Sequence, residues 1–287
     1  MDNLIIQKRL NSYHCTLPEH EENALKEIMQ EIILAALARV EFFKVAEFHG
    51  GTALRILYGL QRFSEDLDFV LQEPDPAFDF SYYLKKIENE FSYFGIDAEI
   101  KDRSKANSAV KKAFLKDNSI GKQLTLTFPV HEKNRKKICI KLEIDTYPPM
   151  GATFDMRKLT FPLHFSIITK DLPSSFSGKM HALLCRSHLK GRDWYDFLWY
   201  VENKTPLNFT LLQNAIDQTG PWEKQKITVD APWVLEQLRN KIHVIDWKLA
   251  KKDVLRFVRD IELPNIEAWS SELFMDSMTM LESSLRV

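Results

Sequence analysis

The segments FHGGTALR (48–55) and RFSEDLDF (62–69) decide how this 287-residue chain is interpreted. Residues two apart on a strand project to the same face, so Asp66 and Asp68 are predicted to point together while Leu67 enters the core. Adjacent carboxylates repel unless a cation lies between them, and Mg²⁺ prefers such oxygen ligands. The pair indicates a magnesium site; the alternative is a polar strand face with two solvated acids.

A third acid is predicted on a later strand, KICIKLEID (137–145). Apolar and polar residues alternate strictly there, which places Glu143 and Asp145 together on the polar face. Asp145 ends the strand and is the first candidate to join the aspartate pair, with Glu143 as its competitor. Three carboxylates can hold two metal ions, one beside the attacking oxygen and one beside the leaving phosphate.

The turn at Gly50 and Gly51 is the second part of the predicted site. Glycine lets the backbone approach a ligand closely, and the N–H groups that begin the next helix can bind an anion. Thr52 is predicted to cap that helix and lies 14 residues before Asp66. A plain strand-to-helix turn is the alternative for the glycines. Together with the acids, the turn suggests phosphoryl transfer from a nucleoside triphosphate.

The two segments closely resemble the AbiEii/AbiGii-type nucleotidyltransferase toxin family. A later stretch, KMHALL (179–184) through GRDWYD (191–196), is similar to the later motifs of that family. The resemblance implies a polymerase-β-like core with Gly51 and Thr52 at the triphosphate. It also implies a magnesium-binding set, which consists of Asp66, Asp68 and Asp145.

The later stretch adds further candidates. By the same resemblance Lys179 is an active-site residue, and the closing acid is Asp193 or Asp196. Asp193 could instead cap a helix, with Asp196 in its first turn. Arg55 and Arg62 are candidate phosphate contacts, although either could pair with an acid instead. The full predicted substrate-binding set is Gly50, Gly51, Thr52, Arg55, Arg62 and Ser64.

The predicted activity is Mg²⁺-dependent transfer of NMP from an NTP to an acceptor hydroxyl. Active members of the family add nucleotides, in some cases to the 3′ end of tRNA, and are neutralised by a separately encoded antitoxin. RNA is therefore the expected acceptor and an antitoxin the expected protein partner. The alternatives are a protein hydroxyl as acceptor, or an inactive binding module. The three acids favour an enzyme, because an inactive fold does not need three carboxylates together.

Charge is distributed unevenly along the chain, although the total is −1. Residues 101–141 contain 12 Lys and Arg and three acids, an excess of +9, whereas residues 260–287 contain six acids and one Arg, or −5. The basic stretch is predicted to bind the RNA acceptor, because clustered cations attract a polyanion and release its counterions. A solvated surface is the alternative for each stretch.

The order of predicted elements indicates an α+β fold. A nucleotidyltransferase-like mixed sheet with flanking helices is expected over residues 1–170, and an α-helical domain over residues 171–287. The predicted helices and strands of the first domain are helices 22–40, 52–60 and 78–94, and strands 45–48, 65–71, 96–100, 123–130 and 137–146, with two more around Pro162. The predicted helices of the second are 180–189, 194–201, 207–216, 234–241, 254–261 and 266–285.

Several protein classes are excluded by the sequence. The three cysteines are far apart and have neither metal nor disulfide spacing. The N-terminus lacks the layout of a secretion signal, and the apolar run at 32–38 is too short for a bilayer. A cytoplasmic protein that does not enter a membrane is expected. P-loop, zinc-peptidase and nucleophile-elbow motifs are absent.

Overall fold

The computed structural model describes residues 3–93, 95–103, 109–117, 119–120, 124–128 and 137–285. The described strands are β1 (Ala46–His49), β2 (Asp66–Leu71), β3 (Ala98–Asp102), β4 (Val110–Asp117), β5 (Ile138–Asp145), β6 (Phe154–Leu159) and β7 (Phe165–Lys170). They form a seven-stranded mixed sheet in the order β3-β4-β5-β2-β1-β7-β6. Strand β2 pairs antiparallel with β1 and parallel with β5, so it lies in the interior of the sheet.

Helices precede, interrupt and follow the strands. Those of the first part are α1 (Asn3–Asn11), α2 (Pro18–Arg39), α3 (Gly50–Tyr58) and α4 (Phe80–Tyr93). Those that follow the sheet are α5 (Leu172–Cys185), α6 (Gly191–Glu202), α7 (Phe209–Gln218), α8 (Ala231–Val244), α9 (Trp247–Leu255), α10 (Leu263–Glu267) and α11 (Ser271–Leu285). The predicted α+β class, a mixed sheet followed by helices, is confirmed.

One face of the sheet is covered by helix α2. Residues 32–37 of this helix are completely buried, and they share a core with Leu67 and Phe69 of β2 and with Leu142 of β5. Because side chains alternate along a strand, covering these apolar residues leaves the polar residues of β2 and β5 on the opposite face. The packing of α2 therefore determines which face of the sheet is available for chemistry.

Some predicted elements differ from the structure. Strand β4 was not predicted, whereas a strand was predicted over 123–130. Of that range, residues 124–128 are described and form no strand. The backbone N–H of Thr125 donates instead to the side chain of Gln7 (2.8 Å), and that of Thr127 to Glu21 (2.7 Å). Residues 123, 129 and 130 lie outside the described residues.

The helix predicted over 254–261 is also wrong. Helix α9 begins earlier, because the side chain of Asp246 accepts a hydrogen bond from the backbone N–H of Leu249 and so caps it, and it ends at Leu255. The helix predicted over 266–285 is divided into α10 and α11. Helix α3 begins at Gly50 rather than after Thr52.

The described residues form two compact units. The sheet unit comprises those within 1–59, 63–148 and 156–169, and the helical unit those within 60–62, 149–155 and 170–287. An aromatic cluster packs the helical unit, where the rings of Trp247 and Phe274 stack 4.2 Å apart. The predicted domain division after residue 170 stays a prediction. Within the described part of the chain, no helix is both long and apolar enough to cross a lipid bilayer.

Candidate active site

The register between β2 and β5 decides which acids of the sheet unit lie together. The paired residues are Asp66 with Lys141, Asp68 with Glu143, and Val70 with Asp145. Glu143 is thus directly opposite Asp68, whereas Asp145 lies one same-face position further along and accepts a hydrogen bond from the backbone N–H of Tyr147 (2.9 Å). The register favours Glu143 as the neighbour of Asp68, and the assignment of Asp145 as the third acid stays a prediction.

Two lysines lie among these acids. The Lys141 ammonium is 2.7 Å from one oxygen of Glu143, and the Lys112 ammonium of β4 is 3.0 Å from the other. Burial raises the pKa of Glu143, but the hydrogen bonds from both lysines outweigh it, so the pKa is lowered. Burial lowers the pKa of Lys141, but Glu143, Asp66 and Asp68 together outweigh it, so the pKa is raised. Both groups therefore stay ionised near neutral pH.

The glycine turn lies directly against the aspartates. Gly50 has φ +82°, and a Cβ built there would lie 2.5 Å from Oδ2 of Asp68. The Thr52 side chain is buried, and its hydroxyl donates to the backbone carbonyl of Asp66 (2.5 Å). The prediction that Thr52 caps helix α3 is therefore wrong. The Thr52 hydroxyl instead connects this helix to β2 at Asp66.

Arg55 and Ser64 are held by contacts within the sheet unit. The guanidinium of Arg55 donates to a carboxylate oxygen of Glu27 (2.8 Å), and it lies 4.6 Å above the ring of Phe63. Ser64 accepts a hydrogen bond at its backbone carbonyl from the Gln30 amide (3.0 Å). Of the two predicted alternatives for Arg55, the structure contains the ion pair.

A separate cluster of charged side chains lies in the helical unit. Arg62 donates two hydrogen bonds of 2.6 Å to Asp196. The Lys179 ammonium on α5 lies 2.7 Å from Asp193 and 2.8 Å from Asp196 on α6. Arg186 binds the second oxygen of Asp193. The structure thus brings Lys179 and both predicted closing acids together, and it joins to them Arg62, which was predicted to contact phosphate.

Both closing acids are buried, and they differ in their partners. The Asp196 side chain is 0% exposed and its oxygens are engaged by Arg62 and Lys179. Burial raises the pKa of Asp193, but the charges of Lys179 and Arg186 outweigh it and lower the pKa. Asp193 lies in the first turn of α6, whose N-cap residue is Lys190, so it does not act as the cap. Arg186 follows Lys179 by seven residues and is the C-cap residue of α5. That spacing was the available signal for Arg186.

Comparison with known proteins identifies the family. The sequence model of the AbiEii family, described as nucleotidyl transferase toxins of type IV toxin–antitoxin systems, matches residues 32–274. The chain belongs to this family. It is therefore a nucleotidyltransferase, and its family is one of toxins. A comparison with curated proteins found no match.

Two solved structures are similar to this AbiEii-family chain. One is described as a candidate nucleotidyltransferase from H. pylori, with 17% identity, a TM-score of 0.47 and 90% of each chain covered. The other is JHP933 from Helicobacter pylori, with 17% identity, a TM-score of 0.44, and coverage of 90% of this chain and 88% of that one.

The aspartate pair fits the divalent metal that nucleotidyltransferases of this kind generally use. Among the described residues, no three Asp, Glu, His or Cys side chains are arranged to share an ion. Asp66 and Asp68 nevertheless occupy successive positions on one face of β2. Mg²⁺ is commonly held by one or two carboxylates together with substrate phosphates, so the donor set is suitable without a third protein ligand.

Substitution of Gly50 tests the contact between the turn and Asp68. We expect Gly50→Ala to reduce nucleotide transfer about 100-fold, because the new methyl group must displace a carboxylate that needs sub-ångström placement. Gly59→Ala is the matched control: Gly59 also has a left-handed φ (+76°), but among the described residues no atom lies within 4 Å of the added Cβ. Both variants should lose some thermal stability, and only Gly50→Ala should lose activity. Equal activity of the two variants would contradict this interpretation.

Proposed function

We propose that the protein transfers NMP from a nucleoside triphosphate to a hydroxyl of RNA in a Mg²⁺-dependent reaction. The observation that carries the proposal is the placement of Asp66 and Asp68 beside the Gly50 turn, with Glu143 opposite Asp68. This arrangement combines two metal-binding carboxylates with the N-terminus of helix α3, whose N–H groups favour phosphate.

Each part of this site has a proposed role. The acceptor oxygen attacks the α-phosphorus, the bond to the β-phosphate breaks, and pyrophosphate leaves. Asp66 and Asp68 hold Mg²⁺, which neutralises the triphosphate charge when bound. The backbone N–H groups at Gly50 and Gly51 bind phosphate oxygens. Glu143 takes the role of third acid, and the acceptor proton passes to water; Asp145 remains the alternative for the third acid.

The charged cluster of the helical unit contains several of the predicted site residues. The family resemblance supports Lys179 and Asp193 as further active-site residues. Asp196 is assigned a positioning role, because its buried carboxylate holds both Arg62 and Lys179.

The proposed surface for RNA lies on the side of the sheet that carries the aspartates. Lys112 and Lys116 of β4 are paired with Glu143 and Cys139, which shows that they share the polar face of β5. Lys111 is paired with Ile144 and belongs to the opposite face. Much of the basic stretch, including 104–108 and 129–136, lies outside the described residues.

Labelled nucleotides test the proposal directly. The purified chain is incubated with each α-labelled NTP, Mg²⁺ and total RNA, with EDTA-treated protein and Asp66→Asn as controls. We expect label in RNA with the untreated wild type only. Label in the protein band instead would support a protein acceptor, and no transfer in any reaction would support an inactive binding module. Suppression of the transfer by a small protein encoded next to this chain would support the antitoxin partner.

A further inference from the structure

The face of the sheet that carries Asp66, Asp68 and Glu143 also carries a cation, Lys141. Lys141 stands opposite Asp66 across the β2–β5 pair, two residues before Glu143 on the same face. Its ammonium is 2.7 Å from Glu143 and interacts electrostatically with Asp66 and Asp68. Lys141 therefore lies within the field of three carboxylates, with Lys112 as a second cation at Glu143. A cluster of carboxylates is also the charge environment that attracts a divalent ion.

We propose that Lys141, which is paired with Glu143, is a built-in counter-ion of this face that opposes the binding of a divalent ion at Asp66 and Asp68 and moves away when the ion binds. The inference rests on the proposed metal site and adds a residue that regulates its occupancy. Lys141 is paired with Glu143, and its charge also acts on the two aspartates that would hold the metal. Their positive charges also repel one another, so each lowers the affinity of the other.

The displacement is physically feasible. The Lys141 side chain is 28% exposed and that of Glu143 22% exposed, so the pair is only partly removed from water. Partly solvated ion pairs are weak compared with metal coordination. The flexible four-carbon stem of lysine also lets the ammonium move while the strand stays in place. Glu143 keeps a second lysine partner, Lys112, during the exchange.

Binding of Mn²⁺ to the full-length protein without nucleotide tests the inference. We expect Lys141→Met to lower the apparent dissociation constant for Mn²⁺ about three- to tenfold, because one opposing, partly exposed cation is removed. Lys141→Arg, which keeps the charge, should bind like the wild type. The melting temperature provides a second measurement: added Mn²⁺ should raise it more in Lys141→Met than in the wild type.

The matched control is Lys101→Met. Lys101 lies on β3, where it is paired with Phe114 on the face that carries Lys141, and its ammonium is 3.3 Å from Glu99. The substitution removes the same net charge, so tighter Mn²⁺ binding in both variants would overturn the inference. Unchanged binding in Lys141→Met would overturn it as well.

An additional variant separates failure of this inference from failure of the proposed site. If Asp68→Asn loses Mn²⁺ binding while Lys141→Met binds like the wild type, the metal site stands and the role of Lys141 is wrong. If Asp68→Asn binds Mn²⁺ as tightly as the wild type, the ion is held elsewhere, and both the proposed site and this inference fail.

Discussion

Asp68→Asn should reduce kcat/KM for nucleotide transfer by about a thousandfold or more, equivalent to roughly 4 kcal/mol of transition-state stabilisation. The substitution keeps the shape of the side chain and the contact with Gly50 but removes the charge that would hold the metal beside the triphosphate. Steady-state label transfer gives the value, and an unchanged melting temperature would show that the loss is chemical. Retention of a tenth or more of the wild-type activity would contradict the proposed role.

The same assay separates the two candidates for the third acid. Glu143→Gln should cost about 100-fold, because Glu143 lies opposite Asp68. Asp145→Asn should remain within about threefold of the wild type, because that carboxylate lies opposite Val70 and receives the N–H of Tyr147. Both substitutions exchange a carboxylate for an amide on the same face of β5, so each is the control of the other. The opposite ranking would restore Asp145 as the third acid.

The sequence predicted the faces of the strands but not their register. Strict alternation in residues 137–145 correctly separated the polar side chains, including Glu143 and Asp145, from the buried ones. Which of these acids meets Asp68 depends on how β5 is aligned with a strand more than 70 residues earlier in the chain, and alternation carries no information about that offset. Position at the strand end could not show that Glu143 rather than Asp145 lies opposite Asp68.

Partners distant in sequence account for the other differences. Arg55 pairs with Glu27, and Arg62 pairs with a residue 134 positions later. Local sequence shows that an arginine is present but not whether it faces a ligand or a buried acid. Strand β4 was missed because its lysines obscure the alternation of Ala113 and Leu115, both of which are buried. The glycine turn could be predicted because a left-handed φ, such as the +82° of Gly50, favours glycine, and this residue type is visible in the sequence.

Arg62→Met should destabilise the protein by about 3–5 kcal/mol, because it leaves the fully buried carboxylate of Asp196 with a charge that Lys179 alone must compensate. Urea unfolding of the full chain measures the loss. Arg186→Met is the matched control: its partner is Asp193, but the Arg186 side chain is 28% exposed, so a loss of about 1 kcal/mol or less is expected.

Two further measurements separate a structural Arg62 from a phosphate ligand. If Arg62 and Asp196 form a buried pair, removing both charges in Arg62→Met/Asp196→Leu should recover much of the stability lost in the single variant, since an apolar pair can replace a buried ion pair. Arg62→Lys should also be less stable than the wild type, because a single ammonium cannot reproduce the two parallel 2.6 Å hydrogen bonds. A phosphate ligand would behave differently: Arg62→Lys would raise KM for the nucleotide and leave the unfolding curve unchanged. That result would return Arg62 to the substrate-binding set.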